Sequence, residues 1–266
     1  MGLIPIDSLE DARIDVYRDL HHGGSWRRQG RFVVEGQHLV TRLVASRYEV
    51  ESVLLDAEHR CPMCRELASQ IDCYIASKDL VEQLVGFRFH RGVLACGKRR
   101  PGVALGNLAT VDAGPLRLVV CAQVSDGENL GALIRSAAAF GVHALVVTRG
   151  CADPFARRVT RVAMGANLQL PLVECDDPGD LLEQLGQRYR VWRYAAVLDR
   201  GARALVDVEP PDRWALVFGN EGDGLSSAIR RVCDQDVTIG MAAGIDSLNV
   251  AVAGGIFLYH LTGRRG

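Results

Sequence analysis

Three stretches of the chain combine residue types that could do chemistry on a polar ligand. In Val237 to Leu261, VTIGMAAGIDSLNVAVAGGIFLYHL, a short apolar strand pattern runs into a Gly-bearing loop and then into a helix-like segment. Asp246 and Ser247 are N-cap types, so Asp246-Ser247-Leu248-Asn249 is delivered at a helix N-terminus, where free backbone N–H groups can bind a ligand's polar atoms. Ala242, Ala243 and Gly244 are small enough for that ligand to lie against the main chain. Read alone, the same stretch is an ordinary buried helix with its cap. The second stretch is GNEGDGLS, which follows the apolar run Trp214 to Phe218 and carries three glycines and two acids. Its glycines allow positive φ and close backbone approach to a ligand, or simply a turn. In the third, QVSDGENLGALIRSAAAFGV, Asn129 starts a helix whose apolar side is Leu133, Ile134, Ala137 and Phe140, and Gly141 stops it. Arg135 sits close to that stripe and by itself reads as a snorkelling surface arginine.

Other patterns are less productive. Gly92 to Arg99, GVLACGKR, nearly spells a phosphate-binding P-loop, but Arg99 stands where a Ser or Thr must hold magnesium, and the intervening residues are strand-like. The dinucleotide fingerprint G-x-G-x-x-G after a strand is absent, which weakens an oxidoreductase reading. His59, Cys61 and Cys64, with Cys73 further on, form half of a zinc pattern without its second pair, so no metal is expected. With eight cysteines and no secretory signal, reduced thiols are expected rather than a disulfide framework.

The formal net charge of -1 gives no global basic field. Positive charge is local: Arg27, Arg28 and Arg31 cluster early, Lys98, Arg99 and Arg100 follow, and Arg157, Arg158 and Arg161 share an expected helix. Lys78 and Lys98 are the only lysines. Such use of arginine suits bidentate phosphate contacts, and compositional bias produces it equally well. The N-terminus lacks the basic-then-apolar pattern of a signal peptide, and no apolar run reaches the ~18 residues a bilayer requires. A soluble, cytoplasmic protein without membrane contact is therefore expected.

These stretches must be positioned by an alternation of strands and helices. Strand patterns at Arg31 to Glu35, Val53 to Leu55, Cys73 to Ala76 and Gly92 to Cys96 are separated by helical patterns at His38 to Ala45, Cys61 to Gln70 and Lys78 to Val85. Before them, Asp7 and Glu10 start a helical stripe of Leu9, Ile14, Val16, Tyr17 and Leu20. Strands at Leu116 to Ala122, His143 to Thr148, Leu168 to Val173, Arg190 to Val197 and Trp214 to Phe218 follow, with helices at Pro154 to Met164 and Leu181 to Leu185. The alternation predicts an α/β protein. Pro101 to Pro115 reads as a linker, dividing the chain into domains 1–110 and 111–266.

SDGENLGALIRSAAAFG, LVFGNEGDGLS and IGMAAGIDSLNVAVAGG, in this order and spacing, resemble the SpoU/TrmH family of RNA 2'-O-ribose methyltransferases within the SPOUT superfamily. RRQGRFVVEGQHLVTRL and FHRGVLACGK resemble the family's N-terminal RNA-binding domain, a small α/β fold like certain ribosomal proteins. The resemblance implies a C-terminal α/β knot, a trefoil-knotted parallel sheet, as an exception to unknotted chains. It implies S-adenosylmethionine bound by Gly219, Asn220, Gly222, Ile239, Met241, Ser247, Leu248 and Asn249, a homodimer, and an RNA substrate, ribosomal RNA ahead of transfer RNA. Asn129, Arg135 and Glu221 match the family's functional positions, so the catalytic set it implies is Arg135, Asn129, Glu221, Ser247 and Asn249. Arg27, Arg28, Arg31 and Arg161 are the expected phosphate contacts.

The chain departs from the family at Gly127 and Gly240, where proline is usual, and at Ala163, where serine is common. In the reaction so implied, a ribose 2'-hydroxyl loses its proton as it attacks a sulfonium methyl, and a fixed cation favours the forming alkoxide. A guanidinium with a pKa above ~12 does not accept protons at neutral pH, so Arg135 is expected to anchor phosphate and stabilise the alkoxide, the proton leaving to phosphate or water. No metal is required for this. The alternative is an RNA-binding relative with weak or no transferase activity.

Overall fold

The computed structural model describes residues 3–18, 20, 30–59, 61–108, 114–244 and 247–263 of the 266-residue chain. Arg27, Arg28 and Asp246 lie outside the described residues, as does the expected domain boundary at 110. The chain divides into two compact units, Met1–Pro101 with Phe155–Gln169, and Gly102–Pro154 with Leu170–Gly266.

In the first unit, β1 (Ile4–Pro5), β2 (Arg31–Glu35), β3 (Glu49–Asp56), β4 (Asp72–Ala76) and β5 (Val93–Lys98) form a mixed sheet in the order β1-β4-β3-β5-β2. β5 runs antiparallel to both β2 and β3. Opposite Phe32 in the register stands Gly97, and a Cβ there would meet the Phe32 ring at 2.5 Å. The aromatic ring thus takes the space a side chain would fill. Helices α1 (Gln37–Val44), α2 (Pro62–Leu67) and α3 (Lys78–Val85) complete the alternation, with α3 capped by Ser77 and stopped by Gly86 at φ 78°.

Two expectations change here. Behind the two-residue strand β1, the first helical stripe shrinks to a 3₁₀ helix at Ala12–Tyr17 capped by Asp11 rather than by Asp7. Its anchors Ile14 and Tyr17 are three residues apart, the repeat of a 3₁₀ helix, and Tyr17 Oη lies 2.8 Å from Ser52 Oγ. Cys61 and Cys64 are joined as a disulfide, correcting the expectation of eight reduced thiols. Their separation of three residues at the start of α2 brings the Cα atoms to 5.4 Å. The six remaining cysteines are free.

The returning segment Phe155–Gln169 also belongs to this unit. Phe155 lies 5.0 Å from the Phe32 ring and 5.3 Å from that of Tyr48. It leads into α6 (Arg157–Val162), shorter than the expected helix of Pro154 to Met164. There Arg157 Nη1 stands 3.7 Å from the buried Glu35 carboxylate, which Arg91 approaches to 3.5 Å.

The second unit is a seven-stranded sheet, parallel throughout, in the order β10-β12-β9-β11-β6-β7-β8. Its strands are β6 (Leu116–Cys121), β7 (Ala144–Thr148), β8 (Leu172–Cys175), β9 (Trp192–Ala196), β10 (Arg203–Ala204), β11 (Arg213–Phe218) and β12 (Gln235–Thr238). The central runs LRLVVC, ALVVT and RWALVF are almost wholly buried, as expected of a parallel sheet covered on both faces. Strand β8 starts four residues later than the pattern at Leu168 to Val173, because 166–168 form a 3₁₀ turn. α7 (Pro178–Gln187) packs Leu181, Leu182 and Leu185 on the sheet. The linker reading of Pro101 to Pro115 also changes: Leu105–Leu108 is a short helix, α4, whose two leucines pack against the second core.

Two helices carry the functional motifs. α5 (Gly127–Ala139) begins two residues before Asn129, because Asp126 is the cap, its Oδ1 accepting from the N–H groups of Glu128 and Asn129 at 2.8 and 2.9 Å. α9 (Val250–Gly263) packs against α5 where Gly254 meets Leu133, so closely that a Cβ on Gly254 would come within 2.3 Å of Leu133 Cδ2.

Candidate functional site

At the C-terminal ends of β9, β11 and β12 a cleft of about 250 Å³ opens, in the position where parallel α/β sheets bind ligands. It is lined by Gly219, Asn220, Glu221 and Gly224 after β11, by Ile239 and Met241 after β12, and by Ser247, Leu248 and Asn249 ahead of α9. Asn129 reaches it from α5. The three motifs therefore meet, although they lie far apart in sequence. Sequence reasoning missed Ala196, Val197 and Leu198 at the end of β9, as well as Phe218 and Phe257. A signal for the β9 residues becomes readable only once β9 is known to neighbour β11.

The loop after β11 is shaped by its glycines. A Cβ on Gly219 would meet the backbone carbonyl carbon of Gly224 at 2.2 Å, so the chain folds directly onto itself there. Asn220 and Gly224 exchange backbone hydrogen bonds of 3.1 and 2.9 Å, and Gly224 has φ 68°. Gly222 does not line the cleft. Its N–H donates to Asn220 Oδ1 at 2.9 Å, as does that of Asp223 at 3.2 Å, closing the turn from inside. Asn220 Nδ2 donates in turn to the Gln123 carbonyl at 3.1 Å, which ties this loop to the one after β6.

A hydrogen-bonded relay joins all three motifs. Asn249 caps α9, its Oδ1 accepting from the N–H groups of Ala251 and Val252 at 2.9 and 3.3 Å. The expected caps were Asp246 and Ser247. With Oδ1 so occupied, Nδ2 of Asn249 donates to Asn129 Oδ1 at 2.8 Å, and Asn129 Nδ2 donates to Glu221 Oε1 at 3.0 Å. Backbone donors at one end and a carboxylate at the other fix the sense of both amides. Glu221 also accepts from the N–H of Asp126 at 3.2 Å and of Ser125 at 3.4 Å. Burial pushes its carboxyl pKa up, but the bonds from Asn129 and from backbone N–H groups outweigh that and hold it below the usual glutamate value.

Arg135 is elsewhere on α5, about 9 Å along the axis from Asn129 by the helical rise. It is exposed, does not line the cleft, and makes no hydrogen bond or ion pair with any described residue. Of the expected phosphate contacts, Arg31 donates through Nε to Glu51 Oε2 at 2.7 Å, and Arg161 is exposed in the last turn of α6.

The cleft pairs apolar walls, Phe218, Ile239, Leu248 and Phe257, with amide and backbone polar groups at its rim. That donor set fits a ligand with a flat heterocycle and polar ends, such as an adenosyl group, and among the described residues no cluster of three or more His, Cys, Asp or Glu side chains is placed to hold a metal ion.

Comparison with known proteins matches two family models to this chain, one in each half of the sequence. The SpoU rRNA Methylase family model matches residues 117–259, and the MRM3-like substrate binding domain matches residues 12–95. A Mycobacterium tuberculosis protein named as an uncharacterized tRNA/rRNA methyltransferase is 35% identical, over 95% of this chain and 89% of its own length. The Bacillus subtilis 23S rRNA (guanosine(2553)-2'-O)-methyltransferase RlmP is 29% identical, over 97% and 99%. Among solved structures, the SpoU methyltransferase AviRb from Streptomyces viridochromogenes, in complex with the cofactor AdoMet, superposes with a TM-score of 0.82 at 27% identity, covering 96% of this chain and 98% of that one.

Proposed function

The chain belongs to the SpoU rRNA methylase family, and from that premise we propose that it transfers a methyl group from S-adenosylmethionine to a ribose 2'-hydroxyl of ribosomal RNA. The observation that carries this reading is the relay from Asn249 through Asn129 to Glu221, which draws the three family motifs around one cleft. Ribosomal RNA is preferred to transfer RNA because RlmP, and the RlmB proteins that are 29% identical, are named for 23S rRNA.

When bound, S-adenosylmethionine supplies an electrophilic methyl on a sulfonium. Leu248, Ile239 and Phe218 would hold its adenosyl part, and the main chain at Gly219, Asn220, Met241 and Ser247 would offer polar groups to its ends. Asn129, Glu221 and Asn249 hold the three loops in register. Arg135, exposed outside the cleft, is assigned to an RNA phosphate that would hold its charge near the reacting ribose, where it stabilises the forming alkoxide while the proton passes to phosphate or water.

In this reading residues 1–110 bind RNA, with Arg27, Arg28 and Arg31 on phosphates, and residues 111–266 carry the reaction in a knotted sheet, with Arg161 adding a phosphate contact from that part of the chain. The match to a substrate binding domain over residues 12–95 supports the first assignment. A homodimer forms through α9, whose Val252, Ile256 and Tyr259 are 53, 40 and 70% exposed although apolar. No helix among the described residues is long and apolar enough to cross a membrane, which fits a cytoplasmic enzyme working on RNA.

The test is methyl transfer from labelled S-adenosylmethionine to unmodified 23S ribosomal RNA transcripts, with mapping of 2'-O-methyl positions. Methylation at one ribose, abolished by Leu248→Arg, is expected. Tight cofactor binding without transfer to any RNA would leave the chain an RNA-binding relative. Sedimentation at twice 29.0 kDa is expected of the dimer.

A further inference from the structure

Gln123 has φ 64°, in the left-handed region that favours glycine and that residues with side chains rarely adopt. Its backbone is held there from both sides. The N–H donates to Thr148 Oγ1 at 3.1 Å, and the carbonyl accepts from Asn220 Nδ2 at 3.1 Å, Asn220 being a wall of the cleft. The flanking loops are stitched as well: Ala152 N–H donates to the Val124 carbonyl at 2.9 Å, and Cys151 Sγ to the Cys121 carbonyl at 3.0 Å. The loops after β6 and β7 thus make one rigid shelf.

Gln123 is exposed, and its carboxamide makes no hydrogen bond to any described residue. Its Cγ lies where a Cβ on Gly150 would come within 3.3 Å, so Gly150, at φ 92°, leaves it room. A strained backbone, fixed by neighbours and displaying an unpartnered polar group, belongs at functional sites more than at ordinary turns. The shelf occupies the ligand-binding end of the sheet. β6 is the strand next to β11, so Gln123 emerges about one strand spacing, ~5 Å, from the strand that ends in the cleft.

We propose that Gln123 is a specificity-determining residue that reads the base of the target nucleotide. The inference rests on the ribose-methylation reading. A nucleoside whose 2'-hydroxyl lies at the cleft extends its base across that spacing onto the shelf. An enzyme acting on one ribose of a folded RNA takes an unstacked nucleotide and reads its base edge by hydrogen bonds. A carboxamide, with one acceptor and two donors, suits that edge. Arg149, next to Thr148 on the same shelf, is also exposed.

Gln123→Gly separates the two roles, since it removes the carboxamide while relaxing the backbone. Unmodified 23S ribosomal RNA transcripts, carrying each of the four bases in turn at the mapped position, are assayed under single turnover. The variant is expected to keep its Tm and its affinity for S-adenosylmethionine. Its kcat/KM on the natural base should fall by about tenfold to a hundredfold, with discrimination between bases largely lost. Gln123→Asn, which tolerates the left-handed region and keeps a shorter carboxamide, should recover part of the rate. Wild-type rate and discrimination in Gln123→Gly would overturn the inference, and so would a loss of cofactor affinity, which marks a structural role. Absence of transfer by the wild-type protein on every transcript would instead overturn the methylation reading, and this inference with it.

Discussion

Asn249 and Asn129, 120 residues apart in the chain, share a hydrogen bond of 2.8 Å in which Asn249 is the donor. One amide thereby caps a helix with its oxygen and fastens a second motif with its nitrogen. Asn249→Asp separates these tasks, because aspartate caps as well as asparagine but cannot donate to Asn129. The variant should keep its thermal stability to within about 1 kcal/mol and lose S-adenosylmethionine affinity by roughly tenfold, as calorimetry would register. A double-mutant cycle with Asn129→Ala should show a coupling of about 0.5 to 3 kcal/mol.

Glu221 predicts a pH dependence. Its pKa is lowered in the folded protein, so it contributes stability above its unfolded value and loses that contribution as pH falls through the folded value. Cofactor affinity should be level near neutrality and fall on the acid side of the ordinary glutamate range. Glu221→Gln should bind more weakly at neutral pH and show a flatter acid limb. Calorimetry on both proteins across that limb checks it, and superimposable limbs would remove Glu221 from the clamp.

Arg135 is exposed and unengaged, so its removal should cost the fold little. Arg135→Ala should lower single-turnover methyl transfer by roughly a hundredfold or more with cofactor affinity barely changed. Arg135→Lys, which retains charge without the planar fork, should recover a small part. A near-normal rate in Arg135→Ala would exclude this residue from the reaction.

Adjacent glycines in α9 should respond oppositely to alanine. Gly254→Ala forces a methyl into Leu133 and should destabilise by about 1 to 3 kcal/mol. At Gly255 a Cβ meets nothing within 4 Å, and Gly255→Ala should stabilise by roughly 0.5 to 1 kcal/mol through helix propensity. Thermal denaturation of the two variants is sufficient.

The elements most legible in the sequence are those whose signals are local. Ser77 and Gly86 bracket α3 at its expected ends, and the short uninterrupted apolar run Trp214 to Phe218 forms the buried strand its length suggests. The cleft was legible as three motifs, but their linkage was not, because Asn249 and Asn129 meet only after α9 has packed on α5. Leu198 at the mouth carries no local mark, since its relevance comes from β9 lying beside β11. The caps misled at both motif helices: Asp126, not Asn129, starts α5, and Asn249 takes over at α9. Several good cap residues lie within four positions of each other, and which one caps depends on tertiary partners.

Phe155 closes an aromatic cluster with Phe32 and Tyr48, yet it is separated from them by more than 100 residues of chain. During synthesis, residues 1–101 emerge first and cannot complete their own interior. The Phe32 and Tyr48 rings gain their third partner only once the segment Phe155–Gln169 has been made. A gene truncated after Pro101 would accordingly yield an aggregation-prone fragment, whereas one that supplies 155–169 in trans should rescue its solubility.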